Sequence, residues 1–153
     1  MGIFFDSKQT FEILEEASIN DDVKKVKSEM IILYGHMLKL KYQKERYLQS
    51  YTWINSIVDS SVIISKTCRN TNVRNRSLNE QYDAYKKGIE LMVSDTKGKL
   101  TKNDVPNELP PEWELPNIIN IKFIFDFMDK YTMEGTSAYK HLQIKREKFK
   151  DKL

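Results

Sequence analysis

Six side chains in the middle of the chain are of types that bind ligands, and they recur at helical spacing. His36, Lys39, Gln43, Arg46, Ser50 and Trp53 are separated by 3, 4, 3, 4 and 3 residues. On one continuous helix that spacing puts them on a single polar stripe beside an apolar one. His, Lys, Gln, Arg and Trp can all donate hydrogen bonds, Arg can do so bidentately, and Trp can stack on a base or a guanidinium. Such a stripe of donors suits an anionic ligand. The same residues also fit a plainer role, with Trp53 in the core and the others covering it with their aliphatic stems beside Glu45. His141, alone on a basic helix, reads as solvated, and the lone Cys68 reads as a small packed hydrophobe.

Catalytic patterns are missing. The sequence has no Gly-rich phosphate loop, no Gly-x-Ser-x-Gly elbow and no His-Glu-x-x-His pair. Leu33 and Ala138 stand three residues before the two histidines, where a carboxylate di-iron bundle would place Glu. No Arg precedes either histidine at the spacing of helical ribonucleases. No cofactor and no metal are therefore expected, and an enzyme with a site of unfamiliar pattern is a secondary alternative.

The chain of 153 residues is 40% hydrophobic and 31% charged, which is the composition of one globular domain. One cysteine excludes an internal disulfide and multi-cysteine metal clusters. Met1–Phe5 are followed at once by Asp6 and Lys8, so the start does not read as a leader, and no apolar run reaches the length of a membrane span. A cytoplasmic protein is expected. Charge is uneven: residues 1–38 carry four bases and seven acids, 39–76 eight and two, and 77–153 thirteen of each. The excess in the middle, which includes Arg69, Arg74 and Arg76, can meet phosphates, an acidic protein face or only water.

Periodicity predicts an all-α single domain, a bundle of four to six helices with a proline-rich strap. A short first helix is expected within 1–19, and the main helices within 20–98. The strap then covers 99–116, and C-terminal helices fill 117–153. Asn20, followed by Asp21 and Asp22, reads as an N-cap. From there Val26, Met30, Leu33, Met37, Leu40, Tyr47, Tyr51, Ile54 and Val58 keep a 3-4 spacing interrupted at Lys44, in one helix or in two broken near Gln49 and Ser50. The stretch from Asn70 to Ser77 reads as a basic surface loop, and Ser77 with Glu80 as the capping box of a helix ending near Gly98. Val105, Leu109, Trp113 and Leu115 should hold the strap, and Pro116 suits a first helical turn. Ile118–Met128 is too apolar for a one-sided helix, so it should be buried or contact a second chain, with a strand as the competing assignment. Gly135 should break the chain, and Thr136 or Ser137 cap a final basic helix.

The run Leu33, His36, Met37, Leu38, Lys39, Leu40, Lys41, Tyr42, Gln43, Glu45, Arg46, followed by Ser50, Trp53 and Ile57, resembles a bacterial domain-of-unknown-function family, number twenty-nine, common in cyanobacteria. That family's pattern is His-Leu-Leu-Lys-Trp/Leu-x-Tyr-Gln, a basic residue, then Ser-x-Ser-Trp, and later a proline segment similar to Val105–Pro111 leading into Leu115. The likeness covers about residues 22–118. Tyr51 and Thr52 before Trp53, and Asp59, Ser60 and Ser61 after it, depart from the pattern. The resemblance implies a helical fold and singles out the polar stripe, without implying a reaction.

The combined reading is a small non-enzymatic interaction protein that binds another macromolecule, of the kind bacteria and phages use in defence, counter-defence or toxin neutralisation. Its binding residues would be His36, Lys39, Gln43, Arg46, Trp53, Arg69, Arg74 and Arg76, or the aromatic-rich face of Ile118–Tyr131, which could also seat a homodimer. The alternative is a nucleic-acid binder using the bases of 39–76 and the C-terminal helix, although a pI near 8.8 is mild for that role. No membrane is expected as a partner.

Overall fold

A computed structural model of the chain describes residues 6–153. The reading of Met1–Phe5 lies outside them. Helix α1 (Ser7–Tyr42) is followed by a 3-10 turn at Arg46–Leu48, then α2 (Tyr51–Thr67), α3 (Thr71–Leu78) and α4 (Gln81–Asp95). A strap with two more 3-10 turns leads to α5 (Leu115–Ile118), α6 (Ile121–Tyr131), α7 (Ser137–Lys148) and a closing 3-10 turn. The described residues thus form an all-α fold with seven helices, one more than the predicted upper bound, because the single turn of α5 stands apart from α6.

The predicted break near Asn20 does not occur. α1 begins at Asp6, whose carboxylate accepts from the Gln9 amide while the Gln9 side chain accepts from the Asp6 amide, a complete capping box. Asn20 caps nothing, since its Oδ1 accepts from Arg76 at 3.0 Å. With 36 residues, α1 is about 54 Å long at 1.5 Å per residue. Its C-terminal half supplies the centre of the core through Val26, Met30, Leu33, Tyr34, Met37, Leu38 and Leu40.

α1 ends at Gln43, and one buried side chain holds the break in place. Gln49 donates to the Leu40 carbonyl at 3.1 Å and to the Tyr131 carbonyl at 2.7 Å, and accepts from the Met133 amide at 3.0 Å. One amide group thereby satisfies three backbone groups at two chain reversals. Of the two readings of the long stripe, two helices is the one found.

α1 and α4 run parallel. Lys27 meets Glu80 and Asp83 at 3.0 and 2.7 Å, Gly35 lies on Gly88, and Lys39 reaches Asp95. A Cβ built on Gly88 would stand 2.9 Å from Tyr34 Cβ and 3.1 Å from the Gly35 nitrogen, so the crossing requires glycine at that point.

The basic stretch from Asn70 to Ser77 is helix α3 rather than a loop. Asn70 caps it by accepting from the Asn72 and Val73 amides, and the pair Val73 and Ser77, four residues apart, turns inward. Two inward positions are too few to show as a period. Ser77 is consequently no cap: its hydroxyl is buried without a partner, and Glu80 is engaged by Lys27.

The strap is tied down along its length. Tyr85 donates to the Pro106 carbonyl at 2.6 Å, Tyr34 donates to the Trp113 carbonyl at 2.8 Å, and Gln81 accepts from the Leu115 amide at 2.7 Å. Val105, Leu109, Trp113 and Leu115 are all buried beneath it. The apolar run after Pro116 is helical and excludes the strand reading. Asn120 caps α6, and Ile118, Ile124, Phe125, Phe127 and Met128 are buried within this one chain. Thr136 caps α7 by accepting from the Tyr139 amide.

Candidate functional site

Lys39 is where the polar stripe and the core meet. It lies on the inward side of α1 between Leu38 and Leu40, and only 3% of its surface is exposed. A buried ammonium requires a partner, and the parallel packing of α4 delivers one: Asp95 Oδ2 is 2.9 Å from Lys39 Nζ. The ammonium also sits 5.3 Å from the centre of the Trp53 ring, which α2 brings back against α1. His36, one turn earlier, holds its Nδ1 2.8 Å from the Ile32 carbonyl. A carbonyl only accepts, so Nδ1 carries the proton and Nε2 is left with its lone pair. Burial, with the Lys39 ammonium adding to it, pushes the His36 pKa below the ordinary 6.5. The imidazole is therefore neutral at neutral pH.

The fold gathers His36, Lys39 and Trp53 and disperses the rest of the stripe. Gln43 is the C-cap of α1, its amide bonded to the Lys39 carbonyl. Arg46 is exposed on the 3-10 turn, and Ser50 is the N-cap of α2, accepting from the Thr52 amide at 3.1 Å. Trp53, a core residue on the plainer of the two readings, is only partly buried, packed at the edge of the core. Its place in the first turn of α2 leaves one side uncovered, and Lys39 takes the other.

Arg69 and Arg74 are exposed, and neither has a carboxylate within 4.0 Å among the described residues. Arg76 is engaged otherwise. Its guanidinium grips both oxygens of Glu16, at 2.6 and 3.0 Å, and that hydrogen bond holds the Glu16 carboxyl below its usual range. Cys68 is buried, and burial pushes its thiol up to about 11 against the pull of Arg74. His141 is not simply solvated: it is part-buried, with Nε2 against Asn55 Oδ1 and its ring 5.5 Å from that of Tyr51.

Sequence reasoning missed three features. Asp95 lies 56 residues from Lys39, and no local pattern links them. Lys41 reads in sequence as one more base of the 39–76 excess, yet its ammonium lies among the rings of Tyr42, Tyr131 and Trp113. The third feature is the start of α1, where every residue from Ser7 to Ser18 is exposed, Phe11, Ile13 and Leu14 included. That arm had a signal in Glu12, Glu15 and Glu16, which gather on the side of the helix away from Phe11, Ile13 and Leu14.

Among the described residues no helix is long and apolar enough to cross a membrane, and no three His, Cys, Asp or Glu side chains are grouped as metal ligands. No curated protein and no solved structure matches the chain. A family model described as "Domain of unknown function DUF29" matches residues 6–124, reaching beyond both ends of the stretch that carries the resemblance and taking in the first turn of α6. With the signature residues His36, Lys39 and Trp53 gathered at one helix junction and the match running from the cap of α1 into α6, the chain belongs to the DUF29 family.

Proposed function

We propose that the protein is a helical interaction module that docks on another protein through the N-terminal arm of α1. The exposed apolar face of that arm carries the reading. At 3.6 residues per turn, Ile13, Ala17, Leu14 and Phe11 share one side of the helix, while Ile19, which is buried, and Glu16, which holds Arg76, lie towards the other. Phe11 is 66% exposed, Leu14 64% and Ile13 50%, an unusual concentration for a surface helix. A lone helical arm pairs best with a groove, which wraps more of its surface than a second helix can. A role in defence, counter-defence or toxin neutralisation fits a small binder of this kind.

Two features weigh against the polar stripe and the Ile118–Tyr131 face as docking surfaces. Lys39 is satisfied by Asp95 and Arg76 by Glu16, which removes two of the five bases from the expected anion-binding face. Burial of Ile118, Ile124, Phe125, Phe127 and Met128 within one chain also removes the need for a homodimer to cover them. Nucleic-acid binding is the second reading, favoured by exposed Arg46, Arg69 and Arg74.

Affinity capture from the native cell tests the choice, with and without nuclease, comparing the wild type with the double variant Phe11→Ser, Leu14→Ser. Both positions are exposed, so the fold should survive. One protein retained after nuclease and lost with the double variant is the expected result. Partners that vanish with nuclease and ignore the arm variant would overturn it in favour of the second reading.

A further inference from the structure

The arm of α1 has a side that this chain leaves uncovered. At 3.6 residues per turn, Ile13 and Ala17 lie in line with Ile31 and Gly35 further along, where α4 packs through Gly88 and Leu91. α4 begins only at the level of Lys27, which meets Glu80 and Asp83. The side that α4 covers along the body of α1 therefore stays open along the arm, and Phe11 and Leu14 stand there, both more than half exposed.

The residues along this side match a second arm running the opposite way. Ser7 with Leu14, and Phe11 with Ser18, are seven residues apart, the repeat of a two-helix seam. In an antiparallel pair, Phe11 of each copy packs on Leu14 of the other, and Ser7 faces Ser18, so each end of the seam is small. Lys8 and Glu15, again seven apart, border the seam three and four residues from Phe11. Among the described residues neither has an opposite charge within 4.0 Å. Antiparallel pairing brings Lys8 of each copy beside Glu15 of the other, two opposite-charge contacts on one edge. Parallel pairing sets Phe11 on Phe11 and gives neither charge a partner.

We propose that, with no partner bound, two copies of this chain pair antiparallel through the arms of α1, in a weak dimer that covers the docking face. The contact is small: two arms about 18 Å long bury less than the about 1,200 Å² at which stable interfaces begin. A second helix also covers less of the arm than a groove does, so the dimer gives way to the partner. This masking rests on the docking reading. The pairing itself does not, and it is measured on the purified chain alone.

Sedimentation equilibrium from roughly 10 μM to 1 mM should show monomer and dimer exchanging. Leu14→Ser, at the centre of the seam, should leave a monomer throughout. Lys8→Glu and Glu15→Lys should each weaken the dimer about tenfold, since two attractive contacts become repulsive, and the two changes together should restore it. Both positions are exposed, and an acid in the first turn favours a helix, so the loss in Lys8→Glu does not come from a frayed arm. Restoration by the double reversal reads the antiparallel register itself. A wild type that stays monomeric across the range, a dimer indifferent to Leu14→Ser, or single reversals that the combination does not repair would overturn the proposal. The docking reading fails on a different measurement, capture of a protein that ignores the arm variant.

Discussion

Two lysines, two residues apart near the end of α1, meet opposite fates. Lys39 points inward, is covered by apolar side chains, and is closed off by Asp95 and by the Trp53 ring. Lys41 points to the other side of the helix, is part-buried, and among the described residues has rings and tyrosine hydroxyls but no carboxylate beside it. Both lie against a tryptophan, yet the electrostatics differ. At Lys39 the charge is spent on holding α1 to the end of α4. At Lys41 it is met by rings and tyrosine hydroxyls instead of an acid. Composition cannot separate the two, because a basic residue in a basic stretch declares neither its direction nor its partner.

Changes at the two tryptophans should give the largest contrast. Trp113 is almost wholly buried among Tyr34, Tyr85 and Phe127, so Trp113→Ala should cost about 3–5 kcal/mol, as for other deletions of buried aromatics. Trp53 is only partly covered, and Trp53→Ala should cost about 1–2 kcal/mol, less than a core position. Urea unfolding of the two variants checks the order, and equal losses would erase the distinction between the two sites.

Next in size is the ion pair. Asp95→Ala strands a buried ammonium, and since the Asp95 side chain is partly exposed, the loss should be about 1–3 kcal/mol, below that of a fully buried pair. Lys41→Met should change stability by about 1 kcal/mol or less, because only part-desolvated ring contacts are lost. Thermal unfolding of both variants at one salt concentration measures the difference. A Lys41→Met loss as large as that of Asp95→Ala would mean that both lysines are structural.

The glycine crossing bears on the same junction, since it sets the height at which Lys39 finds Asp95. Gly88→Ala should cost about 1–3 kcal/mol through overpacking, despite the better helix propensity of alanine. Combined with Asp95→Ala, the loss should be less than additive if the crossing works through the ion pair. A double-mutant cycle decides that point.

The smallest effect is a pH dependence from His36. Its folded pKa lies below the unfolded value, so the unfolded chain binds the proton more readily. Stability is accordingly full above about pH 6.5 and declines as pH falls through the range between the unfolded and folded values. His36→Gln should flatten that part of the curve, and its persistence in the variant would assign the acid sensitivity to other groups.

Much of the architecture was legible because α1, α2, α4 and α6 each bury several residues at a regular spacing, and because prolines and aromatic residues mark the strap. α3 was not, since Val73 and Ser77 alone do not make a period. The cap at Asn20 misled because the same short polar side chain that closes a helix end can also receive a guanidinium from another helix. At the candidate site, Lys39 and Trp53 could be named from spacing. Asp95 could not, because the pairing depends on α4 lying parallel to α1, which local sequence does not encode.

That parallel arrangement has a consequence for how the chain reaches its fold. The buried stripe of α1 is made first during synthesis, and α2 follows at once to cover one side of it, but the other side waits: α4 follows some 40 residues behind, and the Tyr34 hydroxyl meets its acceptor 79 residues further along at Trp113. Until then Tyr34 and Lys39, which α4 meets at Gly88 and Asp95, stay uncovered on a nascent helix. An all-helical protein of this size should therefore fold more slowly than an up-and-down bundle of equal length, with the ribosome-bound intermediate as its most aggregation-prone state.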